Sequence, residues 1–210
     1  MLIGVLALQG DVGEHRFALA ELGAASRPVR LPGDLAGIDG LILPGGESTT
    51  MSMLLDSSGL REPLHKELDA GLPAFGTCAG LILLSTTIVD GRSDQAGFGV
   101  MDVTVRRNAY GRQRQSFECD LRVDAVAGGP VHAVFIRAPL VEAVGPGVEV
   151  LATLAGPDPT LGPVGGVHPT PTPVLVRQGR TLAASFHPEL TDDRRLHQLF
   201  LSLIEQNGSE

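Results

Sequence analysis

Residues 73–84 read Pro73-Ala74-Phe75-Gly76-Thr77-Cys78-Ala79-Gly80-Leu81-Ile82-Leu83-Leu84, and this stretch decides the fold. Its first four residues predict a short buried strand, and the run that begins at Cys78 predicts a helix. Small residues on both sides of Cys78 allow the tight strand-to-helix turn that lifts a nucleophile clear of the backbone. A helix N-terminus also favours the thiolate, because the helix dipole is positive there. A second interpretation stays open here, namely a small buried cysteine that follows a strand.

The sequence around this turn alternates between strands and helices. The predicted strands are residues 2–8, 28–31 and 40–43, and the predicted helices are residues 14–22, 50–55 and 60–68. This order is typical of parallel strands joined by crossover helices.

The second half of the chain has a different pattern. Its strand-like segments are residues 103–105, 117–123, 133–136, 148–151, 174–176 and 182–186. Several of them alternate polar and apolar residues, which favours antiparallel or mixed pairing. A closing amphipathic helix, capped by Thr191 or Asp192, carries its apolar residues at helical spacing: Leu196, Leu199, Phe200, Leu203 and Ile204. Between the strands, the Pro/Gly-rich stretch near residues 156–173 predicts a surface loop without a regular element.

We therefore predict one α/β domain over residues 1–210. It is a three-layer sandwich with a mostly parallel central sheet, helices on both faces and a mixed or antiparallel C-terminal part.

The composition excludes several classes of function. Of the 210 residues 43% are hydrophobic, so the chain can build a core, and its net charge of −8 disfavours nucleic-acid binding. No apolar run reaches the roughly 20 residues that span a bilayer, and the first residues do not resemble a signal peptide. Two cysteines make no disulfide framework, which predicts a cytoplasmic protein. No histidine pair has metal-ligand spacing, so we expect no metal.

A thiol nucleophile needs a base, and His187 is the candidate. The sequence Phe186-His187-Pro188-Glu189 ends an apolar strand, so His187 is expected at the same edge of the sheet as Cys78. Glu189 would orient the imidazole and stabilise its cation. The alternatives are a polar strand-end residue for His187 and a first-turn helix carboxylate for Glu189.

A third segment, Pro44-Gly45-Gly46-Glu47-Ser48-Thr49, also follows a strand and precedes a helix. Its two glycines let backbone N–H groups approach a ligand, where they serve as oxyanion donors or hold a carboxylate. An ordinary tight turn between strand and helix is the alternative.

The remaining histidines and the second cysteine are assigned structural places. His15 is expected to be solvated or at a partner surface, His65 and His197 on helices, and His132 and His168 in loops. Cys119 shares one strand face with apolar neighbours and is expected in the core.

Together these segments resemble the class I, triad-type glutamine amidotransferases, which have a flavodoxin-like fold. Further motifs resemble the glutaminase subunits of pyridoxal 5′-phosphate synthase. They are Leu8-Gln9-Gly10, the turn at residues 43–51, residues 107–113, Ser116-Phe117-Glu118, residues 135–139 and residues 185–192. The resemblance extends from the first predicted strand to the last helix.

The resemblance implies a role for each site residue. Cys78 attacks glutamine and forms a glutamyl thioester, His187 transfers protons, and Glu189 orients His187. Gly46 and Ala79 supply the oxyanion N–H groups. The positions that match glutamine binding are Gly46, Glu47, Ser48, Arg107, Ile136 and Arg137. For the two arginines, a surface ion pair is the alternative.

The resemblance also implies a partner. Its family passes ammonia to a (β/α)8-barrel synthase subunit, in a large ring assembly with the glutaminase subunits outside. This chain is too short to contain such a barrel, which takes about 250 residues. The stretch near residues 156–173 is longer than the family pattern. It is either a tolerated surface insertion or a change that shifts the final strands.

Two other functions fit parts of the pattern. A cysteine peptidase or another thiol protein on a similar scaffold would share the Cys78 turn, and a non-enzymatic partner subunit would share the fold. The His-Pro-Glu segment and the Pro-Gly-Gly-Glu-Ser turn speak against the former, and the complete set of Cys78, His187 and Glu189 speaks against the latter.

Overall fold

The computed structural model describes residues 1–92, 95–107, 116–154 and 171–206. A seven-stranded sheet lies at its centre, in the order β10-β11-β12-β4-β3-β1-β2. Its strands are β1 (Leu2–Leu6), β2 (Ala25–Val29), β3 (Gly40–Leu43), β4 (Ala74–Thr77), β10 (Glu149–Leu154), β11 (Thr172–Gln178) and β12 (Thr181–Ala184). The pairs from β2 to β12 are parallel, whereas β11 pairs antiparallel with β12 and with β10.

Five helices cover the two faces of this sheet. They are α1 (Val12–Glu21), α2 (Ser48–Ser57), α3 (Arg61–Asp69), α4 (Ala79–Leu84) and α5 (Arg195–Glu205). Strand β3 shows that the core is divided into two apolar clusters, one on each face of the sheet, because its alternate residues belong to different clusters. Leu41 and Leu43 pack with residues of α2, α3 and α4, and Ile42 packs with residues of α1 and α5. The sheet therefore lies between two helical layers, as the sequence predicts.

Two smaller sheets extend these clusters. Strands β5 (Ser85–Val89), β6 (Met101–Arg106) and β9 (Leu140–Val144) form a three-stranded sheet. Strands β7 (Ser116–Leu121) and β8 (Val131–Ile136) form an antiparallel ribbon. The first sheet buries residues such as Val103 beside α2 to α4, and the ribbon buries Phe135 beside α1 and α5.

Several predicted boundaries are wrong. The predicted loop at residues 156–173 extends too far, because Thr172 and Pro173 already belong to β11, while residues 155–170 lie outside the described part. Pro173 is tolerated because it faces Thr153 beside an irregularity in the β10–β11 register. Helix α5 begins at Arg195, not after a cap at Thr191 or Asp192, and Asp193 accepts a bond from the Arg195 N–H instead.

Two glycines allow the strand-to-helix turn to pack closely. A Cβ on Gly80 would lie 2.0 Å from the Leu43 carbonyl oxygen, and a Cβ on Gly76 would lie 2.6 Å from the Gly80 carbonyl carbon. Helix α4 therefore lies directly against β3, and any larger side chain would separate them. This contact fixes the position of Cys78 relative to the sheet.

Candidate active site

Cys78 lies at the turn between β4 and α4 in a strained conformation. Its φ is 49° and its ψ is −101°, values that residues other than glycine rarely adopt. Its N–H donates to the Ala184 carbonyl at 2.8 Å, which ties the turn to β12. The side chain is 7% exposed, and Sγ lies 4.0 Å from the Ile136 carbonyl oxygen. Strain of this kind is typical of a nucleophile turn.

His187 and Glu189 follow the strand next to β4. Strands β4 and β12 are parallel neighbours, and Thr77 pairs with Ala184 at their carboxyl ends. Glu189 lies in a single 3-10 turn, Pro188–Leu190, directly after His187. His187 Nδ1 lies 2.8 Å from Glu189 Oε1, and both side chains are buried. Sheet pairing thus brings Cys78 beside His187 and Glu189, two residues from the other end of the chain.

The electrostatics of this group favour a charged histidine. Burial lowers the pKa of His187, but its hydrogen bonds with Asp11, Cys78 and Glu189 outweigh burial and raise the pKa well above its ordinary value. Burial also raises the pKa of Glu189, and the bond from His187 opposes that rise. The imidazolium therefore suits a thiolate on one side and a carboxylate on the other.

Asp11 is a second carboxylate beside His187, which the sequence interpretation missed. It directly precedes α1, and its Oδ2 lies 3.4 Å from His187 Nδ1. Asp11, His187 and Glu189 offer donor atoms within 4.8 Å of one another, a spacing that a metal ion also accepts. An imidazolium between two carboxylates accounts for the same arrangement, and the lack of a metal stays a prediction.

Cys78 and His187 open into one cleft of about 530 Å³. Its walls come from six places in the chain, namely the segments that follow β1, β3, β4 and β12 and the ends of β6 and β8. The lining residues are Gln9, Gly10, Asp11, Gly46, Glu47, Ser48, Cys78, Ile82, Arg107, Ile136, Arg137, His187 and Leu190. All predicted glutamine-binding positions are in this set. Ala79 lies at the start of α4, and Glu189 lies behind His187.

The turn after β3 is held by Gln9 and Glu47. Gly46 has a φ of +154°, and a Cβ there would lie 2.5 Å from Gln9 Oε1, which accepts the Glu47 N–H at 2.7 Å. The Glu47 carboxylate accepts the N–H groups of Thr49 and Thr50 at the start of α2. Partial burial raises the pKa of Glu47, but these bonds outweigh it and lower the pKa to about 2. Glu47 is therefore charged at neutral pH.

The two arginines of the cleft differ in their partners. Arg107 donates to Glu47 Oε1 at 3.0 Å and to Gln95 Oε1 at 2.6 Å, so it forms the ion pair that the sequence left as an alternative. Arg137 is exposed and has a positive φ of 45°. Within the described ranges, its guanidinium has no hydrogen bond or ion pair. Among the described residues, the cleft thus holds one guanidinium that is already paired and one that is available.

The structure corrects three further predictions. His15 is fully buried against His197 and Glu189, not solvated. His132 lies on β8 and not in a loop, with Glu118 and Asp120 beside it. Cys119 shares its face with Phe117 and packs against the core, but it is only half-buried. Burial and Asp120 raise the pKa of Cys119 to about 11. His168 and most of the predicted motif at residues 107–113 lie outside the described residues.

The fold defines a class. A mostly parallel sheet between two helical layers is the flavodoxin-like fold of the class I glutamine amidotransferases, as the resemblance implies. The chain belongs to the SNO glutamine amidotransferase family, which matches residues 5–206. Both the predicted fold class and the predicted family are confirmed.

Individual relatives agree with this assignment. The chain is 56% identical over 203 residues to pyridoxal 5′-phosphate synthase subunit PdxT of Salinispora tropica, covering 97% of this chain and 96% of that protein. It is 54% identical over 207 residues to the same subunit of Frankia alni, covering 99% and 96%. A crystal structure of a glutamine amidotransferase has a TM-score of 0.84 and 48% identity, covering 97% of this chain and 98% of the other. PurLQS from Thermotoga maritima, at 17% identity, 96% and 97% coverage and a TM-score of 0.70, shares the fold alone.

None of the described helices is long and apolar enough to cross a membrane.

Proposed function

We propose that this chain is the glutaminase subunit of a pyridoxal 5′-phosphate synthase. It hydrolyses L-glutamine to L-glutamate and ammonia and delivers the ammonia to a separate synthase subunit. The observation that carries the proposal is the opening of Cys78 and His187 into one cleft, with Glu189 buried behind His187. The names of the curated relatives support the choice of synthase.

The chemistry assigned to these residues is a two-step acyl transfer. His187 holds the proton of the Cys78 thiol as an imidazolium, and the thiolate attacks the carboxamide carbon of glutamine. The tetrahedral intermediate collapses as His187 returns the proton to the leaving nitrogen, which releases ammonia and leaves a glutamyl thioester. A water molecule, deprotonated by His187, then attacks the thioester and releases glutamate and the free thiol. Glu189 holds the tautomer of His187 and stabilises its cation throughout.

The oxyanion is assigned to the backbone N–H groups of Ala79 and Gly46. The Ala79 N–H belongs to the first turn of α4, where donors have no acceptor within the helix. Gly46 lies on the opposite wall, in the turn held by Gln9. Two donors that converge on one oxygen stabilise the charge that develops there.

The rest of the cleft is assigned to the amino acid part of glutamine. Arg137, whose guanidinium has no partner among the described residues, suits the α-carboxylate. The Ile136 carbonyl and the Glu47 carboxylate suit the α-ammonium, and Ser48 adds a polar contact. Arg107 acts through Glu47, because their ion pair holds that carboxylate in place.

The proposal also covers the domain organisation of the chain, its compartment and its partner. Residues 1–210 form a single amidotransferase domain that works in the cytoplasm without a metal or cofactor of its own. The partner is a (β/α)8-barrel synthase subunit in a large hetero-oligomer with the glutaminase subunits outside. Gln9, Gly10 and the first helix are the proposed contact, and the exposed Phe17 of α1 is consistent with a covered surface there.

The test measures glutamate release from L-glutamine by the purified chain, with and without the synthase subunit. We expect activity with the partner and loss of it in Cys78→Ala, while the matched variant Cys119→Ala retains it. No glutamate from the wild type with its partner would refute the function. Full activity of Cys78→Ala would refute the mechanism. Amidase or peptidase activity on other substrates would favour a different thiol enzyme.

A further inference from the structure

Two buried histidines continue the line of contacts beyond Glu189. His15 of α1 and His197 of α5 are both fully buried, and His15 Nδ1 lies 3.0 Å from His197 Nε2. On its other side, His15 Nε2 lies 3.1 Å from Thr77 Oγ1 and 3.5 Å from Glu189 Oε2. Glu189 Oε1 is occupied by His187, whereas Oε2 is buried and makes no hydrogen bond within the described residues, its contact with His15 being a longer, charge-based one. His15 is therefore placed to serve the second oxygen of Glu189.

The neighbours of the two histidines determine their tautomers. His197 Nδ1 is buried and has no partner in the part of the chain that the structure describes, so a proton there would be an unsatisfied buried donor. The favoured tautomer of His197 carries its proton on Nε2 and donates it to His15 Nδ1. His15 then carries its own proton on Nε2, directed to Thr77 Oγ1 and Glu189 Oε2. The opposite arrangement would leave a lone pair facing the Glu189 carboxylate and an unused N–H on His197.

We infer that His15 is a positioning residue for the reaction, whose Nε2–H, shared between Thr77 Oγ1 and Glu189 Oε2, keeps Glu189 ionised and aligned on His187. The inference rests on the proposed function of Cys78, His187 and Glu189. Burial alone would neutralise Glu189, and a neutral Glu189 would not stabilise the imidazolium. His197 fixes the tautomer of His15, because the Nε2–H of His197 donates to His15 Nδ1. His15 does not line the cleft, so it acts on turnover and not on glutamine binding.

The charges around His15 and Glu189 determine in which direction loss of His15 shifts the pH dependence of turnover. Glu189 is faced by His187, His15 and the Asp11 carboxylate, and His15 is faced by His197, His187 and the uncharged Phe75 and Thr77. Burial lowers the pKa of His15, so it is a neutral donor at neutral pH. Loss of this donor raises the pKa of Glu189. On the acid side of the pH profile, Glu189 then becomes protonated, and the enzyme loses activity, at a higher pH than in the wild type.

The experiment compares His15→Met, which removes the donor, with His15→Gln, which retains an N–H near the position of Nε2. Both are measured as full chains with the synthase subunit, by kcat and KM for glutamine between pH 5 and 9. Because the contact is long and shared with Thr77, the expected effect is below that of a full hydrogen bond to a charged group, and His15→Met should move the acid limb of kcat up by about one pH unit. That shift is a tenfold loss on the limb, with KM unchanged. His15→Gln should restore most of it.

A matched variant separates this role from packing. Leu19→Ala removes another fully buried side chain of α1 and should lower the melting temperature without moving the acid limb. The inference would be overturned if the acid limb of the kcat profile did not move in His15→Met. It would also be overturned if the limb moved equally far in His15→Gln.

The tautomers are measured independently of activity by two-bond ¹H–¹⁵N correlation spectra of the wild-type chain, in which protons on Nε2 of both histidines are expected. A proton on His15 Nδ1 would overturn the inference. This test uses the wild-type chain, so it holds even if the variants do not fold. No glutamate release by the wild type would refute the proposed function instead, and the tautomers would still decide the structural assignment.

Discussion

Replacing Gly80 with alanine should displace the helix that carries Cys78. The added Cβ would lie 2.0 Å from the Leu43 carbonyl oxygen, 2.8 Å from its carbon and 3.0 Å from Leu43 Cβ. Cβ atoms essentially never approach another heavy atom closer than 3.0 Å, so α4 and β3 must separate by at least about 1 Å. Leu43 is a buried residue in the middle of the sheet, so α4 has to make most of this movement.

Two magnitudes follow from that displacement. A misplacement of about 1 Å at the reacting groups costs roughly 100-fold in turnover. Overpacking of a tight contact costs about 1 to 3 kcal/mol of stability, or roughly 3 to 9 °C in melting temperature for a chain of this length. Turnover should therefore fall much more than the fraction of folded protein, which stays close to one at 25 °C.

The assay is glutamate release with the synthase subunit at saturating glutamine, together with thermal unfolding followed by circular dichroism. Gly33→Ala is the matched control, because Gly33 lies in the 3-10 turn Pro32–Leu35 with nothing within 4 Å of its added Cβ. Its stability should stay unchanged or rise by about 0.5 to 1 kcal/mol, with normal turnover. Wild-type turnover and melting temperature in Gly80→Ala would refute the argument from close packing.

Three further predictions test separate parts of the site. Glu189→Gln should lower kcat by about 10⁴-fold with little change in KM, because the amide no longer supports the imidazolium; a large rise in KM at normal kcat would contradict that role. Iodoacetamide at pH 7.5, followed by mass spectrometry, should label Cys78 at least about tenfold faster than Cys119, whose thiol stays protonated. Burial and Arg194 lower the pKa of His197 to about 4, so the unfolded chain binds its proton first and stability falls as the pH drops from about 6.5 to 4. His197→Leu should remove up to about 3 kcal/mol of this loss in urea unfolding, and an unchanged slope would contradict it.

The parts of the fold that could be predicted from the sequence are those with strong local patterns. The apolar run before Gln9 and the small residues around Cys78 each decide an element by themselves. Strands β5 and β9 were missed because neither has a clear alternation, and β9 buries only Leu140 and Val141. The strand order was also out of reach, since pairing depends on contacts between distant segments.

The site could be predicted where chemistry and position agree in the sequence, as for Cys78, His187 and the turn at Gly46. His15 and Asp11 were misjudged or missed because their importance comes from neighbours brought in by the fold. The spacing of His15, Ala18 and Leu19 places them on one face of α1, and this face is buried while Phe17 is exposed. That spacing was a usable signal. No signal along the chain links His15 to His197, which lies 182 residues away.

The parallel pairing of β4 with β12 has a consequence for control of the enzyme. The Cys78 N–H bonded to Ala184 continues the backbone ladder of these two central strands, so the gap between sulfur and imidazole is as rigid as the middle of the sheet. Amides in such strands exchange with solvent only when the whole domain opens. A regulatory signal from outside the domain therefore has to act on the opposite wall of the cleft, which carries Gly46 and Arg137. There, Arg137 holds a positive φ of 45° beside the cleft.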